Sequence, residues 1–225
     1  MNIFVHTIFP EIFDSFLKTS LIKKAQDKGV LNIKLVNIRD FCNHKQKQVD
    51  DKIYWWWAWM LIKAKPVIDS IENTIKENNL SDFKIIYLAP SDNILDQKKC
   101  FDYSKLENVI LLAWRYEGID YRVEQYFTDK YWNFERLSIW KYILLGGELP
   151  AMVFIEAVGR LVPGVIKEKA SFEDESYNPK KNMENIEYPQ YTIPQEVYGY
   201  KVPEVLLSWN HKLIEKRRKD SEKKF

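Results

Sequence analysis

Val109-Ile110-Leu111-Leu112-Ala113 is an unbroken apolar run, and Trp114-Arg115-Tyr116-Glu117-Gly118 follows it at once. An apolar run this short, closed by a turn, reads as a strand covered on both faces, the mark of a central position in a parallel sheet. Working outward toward the N-terminus, Phe83 to Leu88 is a second strand ending in Ala89-Pro90, and a short helix over about 96–104 separates the two. Leu31 to Asn37 alternates Ile33 and Leu35 with Asn32 and Lys34, and Ile3 to Phe9 reads as another buried strand. Pro10 opens a helix where its missing N–H costs nothing. Phe13, Phe16, Leu17 and Leu21 follow at helical spacing, and Gly29 stops it. Arg39 to Tyr54 reads as a polar loop, and Leu61 to Asn78 as a helix with Ile68, Ile71 and Ile75 on one face. Toward the C-terminus, a helix runs to about Phe127. An apolar piece, Tyr142 to Leu145, then meets Gly146-Gly147, and Glu148 and Pro150 start a helix to about Leu161. Strands alternating with helices imply an α/β domain with a mostly parallel sheet. Ligands of such sheets sit beyond the carboxyl ends of the strands. Those ends are Leu88-Ala89-Pro90, Trp114 to Gly118, and Leu144 to Glu148.

The 225 residues suit one large domain with a small extension. The composition shifts after Pro163-Gly164: Lys167 to Glu187 is polar and charged, a linker or lid. From Tyr188 the chain is punctuated by Pro189, Pro194 and Pro203 and ends in a helix over about 210–219. The expected domains are therefore 1–162, a linker over 163–187, and a small helical C-terminal domain over 188–225. Net charge is +2, but residues 210–225 alone carry +4. That basic end either binds phosphate or is a solvated, frayed helix. Two distant cysteines, Cys42 and Cys100, make neither a disulfide framework nor a zinc site, which points to a reduced, cytoplasmic compartment without a structural metal. No apolar run approaches the roughly 20 residues of a membrane span, and the N-terminus lacks the basic start of a signal peptide.

Trp55-Trp56-Trp57-Ala58-Trp59 resists a chemical reading, because four indoles in five residues cannot all find a buried slot and a partner for the N–H. The chain has 8 tryptophans and only 7 glycines. That is about 3% glycine where roughly 7% is usual. Two readings follow. Either the tryptophans form a genuine aromatic patch for sugars, membranes or partners, or UGA codons that mean glycine in the source are written here as tryptophan.

Several stretches then align with one family. They are Ile8-Phe9-Pro10-Glu11-Ile12-Phe13, Val49-Asp50-Asp51-Lys52 with Tyr54, Arg115-Tyr116-Glu117-Gly118-Ile119-Asp120, and Gly146-Gly147-Glu148-Leu149-Pro150-Ala151. Arg160 to Val165, Tyr188 to Thr192 and Val202 to Ser208 complete the set. In these the chain resembles, over nearly its whole length, the bacterial tRNA (guanine-N1)-methyltransferases, which are trefoil-knotted SPOUT enzymes. The resemblance implies an α/β fold with a C-terminal trefoil knot, a small α-helical domain that is shortened here, a homodimer, a tRNA substrate, and S-adenosylmethionine as methyl donor. It also implies magnesium, for which no ligand cluster is identifiable. Seven of the eight tryptophans fall on family glycines, with Trp132 ambiguous, and WWWAW becomes a flexible Gly-Gly-Gly-Ala-Gly loop.

Carried over residue by residue, the cofactor contacts are Tyr87, Leu88, Ala89 and Pro90 in the first loop. The second loop adds Trp114, Tyr116, Glu117 and Gly118. The third adds Ile139, Trp140, Tyr142, Leu144, Gly146, Gly147 and Pro150. By pattern alone, Tyr116 and Tyr142 also read as core residues. Indoles at 114 and 140 would occupy cofactor volume. Arg160 matches the catalytic arginine. The family's base is an aspartate fifteen positions later, where this chain has Glu175, with Asp174 beside it. Without the resemblance, Glu173-Asp174-Glu175 is a solvated charge run. Arg39, Lys45, Lys47, Lys52, Lys212, Arg217 and Arg218 are candidate phosphate contacts. The rival readings are a knotted methyltransferase with another RNA target, and a non-catalytic aromatic-rich binding protein if the tryptophans are real.

Overall fold

The computed structural model describes residues 1–43, 46–166, 175–178 and 185–224. The chain divides into two units, Met1–Lys167 and Glu168–Phe225.

The first unit runs β1 (Asn2–Thr7), a 3-10 turn (Pro10–Phe13), α1 (Asp14–Leu17), α2 (Ser20–Asp27) and β2 (Asn32–Asn37). The hairpin β3 (Asp50–Ile53) and β4 (Trp56–Ile62) precedes α3 (Ala64–Glu77), β5 (Lys84–Leu88), α4 (Gln97–Tyr103) and β6 (Asn108–Leu112). Then come α5 (Arg122–Tyr131), β7 (Phe134–Leu137) and α6 (Glu148–Gly159). Five strands form one sheet in the order β2-β1-β6-β5-β7, and every neighbouring pair is parallel. β6 lies in the middle, with Val109 to Leu112 fully buried.

Alternate residues of the central strands enter opposite cores, as a period of two requires. Ile3, Val5, Ile86, Leu88, Val109 and Leu111 pack with Phe13, Ile22, Phe154 and Ile155, under α2 and α6. Phe4, Ile85, Tyr87, Ile110 and Leu112 pack with Val67, Ile71, Val123 and Phe127, under α3 and α5. The mostly parallel α/β sheet is therefore the fold's frame.

Four local readings are corrected. The helix expected from Pro10 to Gly29 is broken, because Thr19 is extended and Ser20 has φ +51°. The polar loop over 39–54 contains strand β3, and WWWAW is a hairpin turn plus the start of β4 rather than a loop. Leu61 and Ile62 belong to β4, so the helix begins at Ala64, with Pro66 tolerated in its first turn. The apolar piece over 142–145 is not buried, since Ile143 and Leu145 are exposed.

The second unit is small and mixed rather than purely helical. It contains β8 (Asn185–Ile186), β9 (Glu196–Val197), β10 (Tyr200–Lys201), α7 (Glu204–Leu207), α8 (His211–Ser221) and β11 (Lys223–Lys224). β9 pairs with β10 and β8 with β11, both antiparallel. The Arg218 guanidinium lies 4.8 Å from the Tyr188 ring centre.

Candidate active site

The carboxyl ends of β5, β6 and β7 and the start of α6 converge at one edge of the sheet. β6 continues past its last residue, with Ala113 donating its N–H to the His6 carbonyl of β1 at 2.9 Å. There the turn before α6 is pressed against it, and Gly147 donates to the Trp114 carbonyl at 2.8 Å. A Cβ on Gly147 would lie 2.7 Å from both Ala113 Cα and Trp114 N, and a Cβ on Gly146 would lie 2.6 Å from Arg115 Nε. Only glycine permits this approach.

The loop after Trp114 turns through Tyr116 (φ +60°) and Gly118 (φ +118°). A Cβ on Gly118 would come within 2.8 Å of the Tyr87 hydroxyl. Burial pushes the Tyr87 phenol up to about 12, so it stays protonated. β4 ties this loop from outside: Ile62 donates to Gly118 O at 3.0 Å, Glu117 to Met60 O at 3.1 Å, and Asp120 to Ile62 O at 2.9 Å. The tryptophan-rich segment thus ends in a strand that braces the second loop.

Glu148 opens α6 and is buried, with 1% of its surface exposed. Thr7 Oγ1 donates to its Oε1 at 2.8 Å, and Arg115 Nε lies 2.9 Å from its Oε2. The Arg115 contact is a charge pair whose N–H is not aligned on the oxygen. Arg115 also stands over the Phe9 ring at 5.2 Å. One carboxylate therefore links the β1 end, the second loop and α6. This was not legible in the sequence, where a Glu at a helix start reads as a solvated residue favoured by the helix dipole.

The three loops line an open cavity of about 20 Å³, formed by Leu88, Ala89, Pro90, Trp114, Leu137, Ser138, Ile139, Tyr142, Leu144, Gly146 and Pro150. Leu137 and Ser138 were missed in the sequence because β7 carries no apolar run to announce it. Tyr87, Tyr116, Glu117, Gly118, Trp140 and Gly147 do not line the cavity. Tyr87 is core beneath it, Gly147 packs on the strand end, and Tyr116 and Tyr142 are exposed rather than core. Trp140 is also exposed, and its carbonyl accepts from Ser138 Oγ at 2.7 Å. Trp114 is different: it is buried in the cavity wall. A space of 20 Å³ holds about one water. Small-molecule sites are roughly 300–1,000 Å³. With tryptophan at 114 the residues present do not fit an adenosine-sized cofactor.

Arg160 caps the C-terminal end of α6, half-buried and outside the cavity wall. Its charge reaches the buried Cys100 thiol of α4, which burial nonetheless raises to about 11. Glu175 belongs to the second unit, where its carbonyl accepts from Asn185 Nδ2 at 3.4 Å. Tyr177 N donates to Asn185 O at 2.9 Å, and Glu187 N to Ser176 Oγ at 3.0 Å. Asp174 and Lys45 lie outside the described residues. Arg39 donates to the Lys47 carbonyl, and Lys47 pairs with Asp40 at 2.6 Å. Lys52, Lys212 and Arg217 are exposed. Among the described residues, no group of three or more His, Cys, Asp or Glu is placed to hold a metal ion, and no helix is long and apolar enough to cross a membrane.

The chain is similar to proteins named tRNA (guanine-N(1)-)-methyltransferase in several bacteria. It is 41% identical to that of Clostridioides difficile, covering 98% of this chain and 91% of the relative. It is 44% identical to that of Carboxydothermus hydrogenoformans, covering 97% and 81%. It is 42% identical to that of Dictyoglomus turgidum, covering 100% and 86%. The sequence model of the family described as tRNA (Guanine-1)-methyltransferase TrmD matches residues 1–224. Converging strand ends, a glycine turn that admits no Cβ and a match along almost the full chain agree, and the chain belongs to the tRNA (guanine-1)-methyltransferase family.

Proposed function

We propose that this family member methylates N1 of the guanine on the 3′ side of the tRNA anticodon, position 37, as a homodimer in the cytoplasm. The observation that carries the reading is the junction of Gly146-Gly147 with Ala113-Trp114, which brings bare backbone to the carboxyl edge of a parallel sheet. With room at residue 114, the three strand-end loops would hold S-adenosylmethionine, which would supply a methyl group on a sulfonium sulfur. The chain's own residues have three tasks. N1 of guanine carries a proton at neutral pH, and a carboxylate, Glu175 or Asp174, takes it as the nitrogen becomes nucleophilic. Charge then spreads to O6, where the Arg160 guanidinium stabilises it. Arg39, Lys45, Lys47, Lys52, Lys212, Arg217 and Arg218 hold phosphates while the base leaves its stack. We read residues 163–187 as the interdomain linker or lid that carries Asp174 and Glu175. No residue is assigned to magnesium.

The test is methyl transfer from labelled S-adenosylmethionine to two tRNA transcripts, one with G37 and one with A37, using protein isolated from its native source. Labelled 1-methylguanosine in the first alone is expected; no label in either overturns the reading. Glu175→Ala and Asp174→Ala, made singly, identify the base. Its loss lowers kcat by about 10²–10⁴-fold, and the other substitution leaves kcat within a few-fold.

A further inference from the structure

We infer that the working protein carries glycine at its tryptophan positions, Trp132 included, and that residue 114 decides whether the cofactor cavity exists. The backbone is the first observation. Trp55, Trp132 and Trp209 have φ of +71°, +55° and +55°. Bulky residues resist this left-handed region, and glycine occupies it freely. All three indoles stand in solvent, at 96%, 84% and 86% exposure. No buried contact therefore offsets the unfavourable backbone.

Each of the three has the backbone conformation that glycine adopts most readily. Trp55 is the second residue of the two-residue turn between Ile53 and Trp56, and a positive φ at that turn position selects Gly or Asn. Trp132 ends α5 in the left-handed conformation, its N–H donated to Thr128 O at 3.1 Å. Gly29 does the same after α2, with φ +69° and its N–H donated to Gln26 O at 2.9 Å. Helices commonly close in this way, and usually on glycine. Trp209 lies between α7 and α8, just before the Asn210 side chain that caps α8. The family comparison leaves residue 132 open; its backbone assigns it.

Trp114 is the second, independent observation. It lies opposite the two glycines that admit no Cβ, buried in the wall of a cavity too small for the cofactor. Removing that ring adds its volume to the cavity, where three strand-end loops already meet. Trp55, Trp132 and Trp209 share exposure and a positive φ, Trp114 is buried, and the residue type is common to all four. A single decoding change, UGA read as glycine in the source, alters all of them together. The identity of the cofactor rests on the proposed function above; the glycine assignment at 55, 132 and 209 does not.

The gene settles the decoding: UGA at the tryptophan positions is expected, and peptide masses of protein from the native source then show glycine there. UGG at 114 and 132, or tryptophan in those peptides, overturns the inference. Calorimetric titration with S-adenosylhomocysteine tests the cavity, comparing the chain as written with Trp114→Gly. The variant is expected to bind at least about 100-fold more tightly; equal affinity overturns the role of residue 114. Trp132→Gly and Trp132→Ala give a readout independent of the cavity. Both remove the exposed indole, but only glycine relieves φ, so its melting temperature should exceed that of the alanine variant by about 2–4 °C. An alanine variant as stable as the glycine one overturns the assignment at 132. UGA codons, tight binding by Trp114→Gly and no methylation of G37 tRNA would uphold this inference and overturn the proposed substrate.

Discussion

The Gly146-Gly147 turn and the Trp114 turn meet backbone to backbone, yet they are built on opposite terms. On one side even a methyl group would collide with main-chain atoms at 2.7 Å. On the other, 2.8 Å across a hydrogen bond, the chain places its bulkiest side chain and buries it. The same opposition recurs at two helix ends: α2 closes on Gly29 and α5 on Trp132, with nearly the same left-handed backbone. A close backbone approach serves a ligand only when both walls leave room. The glycine turn is thus evidence of what its partner turn is for, and Trp114 is where sequence and architecture disagree.

The largest effect on this comparison should come from Glu148→Ala. It strips the carboxylate from Arg115 and Thr7 and leaves a charge without its counterpart beneath the glycine turn. A loss of about 3 kcal/mol, read from urea unfolding midpoints, is expected, at the low end for a broken buried pair because Arg115 is partly exposed. Gly147→Ala attacks the bare wall directly and should cost about 2 kcal/mol, since the obstructing atoms are backbone and cannot rotate away.

Acid tests the floor beneath both turns, where the His6 carbonyl holds Ala113. The His6 ring is fully buried, and burial pushes it down to about 3 from 6.5. Ser70 Oγ donates to Val67 O, so it accepts from His6 Nδ1–H at 2.9 Å, which leaves Nε2 to accept from Thr74 Oγ1 at 3.3 Å. The folded ring is thus neutral while the unfolded ring protonates below 6.5. Stability from this group is complete above 6.5 and falls as pH drops toward 3, by about 1.4 kcal/mol per pH unit. Urea midpoints measured between about pH 5.5 and 4 should approach that slope, and His6→Asn should flatten it. The smallest effect is Gly29→Ala. With nothing within 4 Å of the added Cβ, it should cost only the roughly 1 kcal/mol of its positive φ. Equal costs at Gly29 and Gly147 would show that backbone conformation, not contact, governs both.

Much of the sheet is readable from residues because burial on both faces leaves an unbroken apolar run, as in Val109 to Ala113. β7 is not readable: Phe134-Glu135-Arg136-Leu137 is a half-polar edge strand held by β5, and its neighbours alone make it a strand. The hairpin β3–β4 was hidden for a different reason, because the tryptophans mask the turn that glycine would announce. Of the site, the strand-end loops were legible through their glycines and the family motifs, while Leu137 and Ser138 followed β7 into obscurity. Burial of Glu148 was illegible because its partners, Thr7 and Arg115, are remote in sequence.

The sequence by itself determined the parallel α/β frame, the loops where chemistry gathers and the family, because periodicity and local motifs are written in neighbouring residues. It also exposed the tryptophans as misplaced in composition. Only the tertiary structure decided which of them matter and how. φ angles at 55, 132 and 209 depend on how turns and helices close, and the obstruction at 114 exists because two turns distant in sequence are drawn together at the sheet's edge. Steric exclusion acts between atoms in space, so a residue's fitness at such a junction is set by what folds against it.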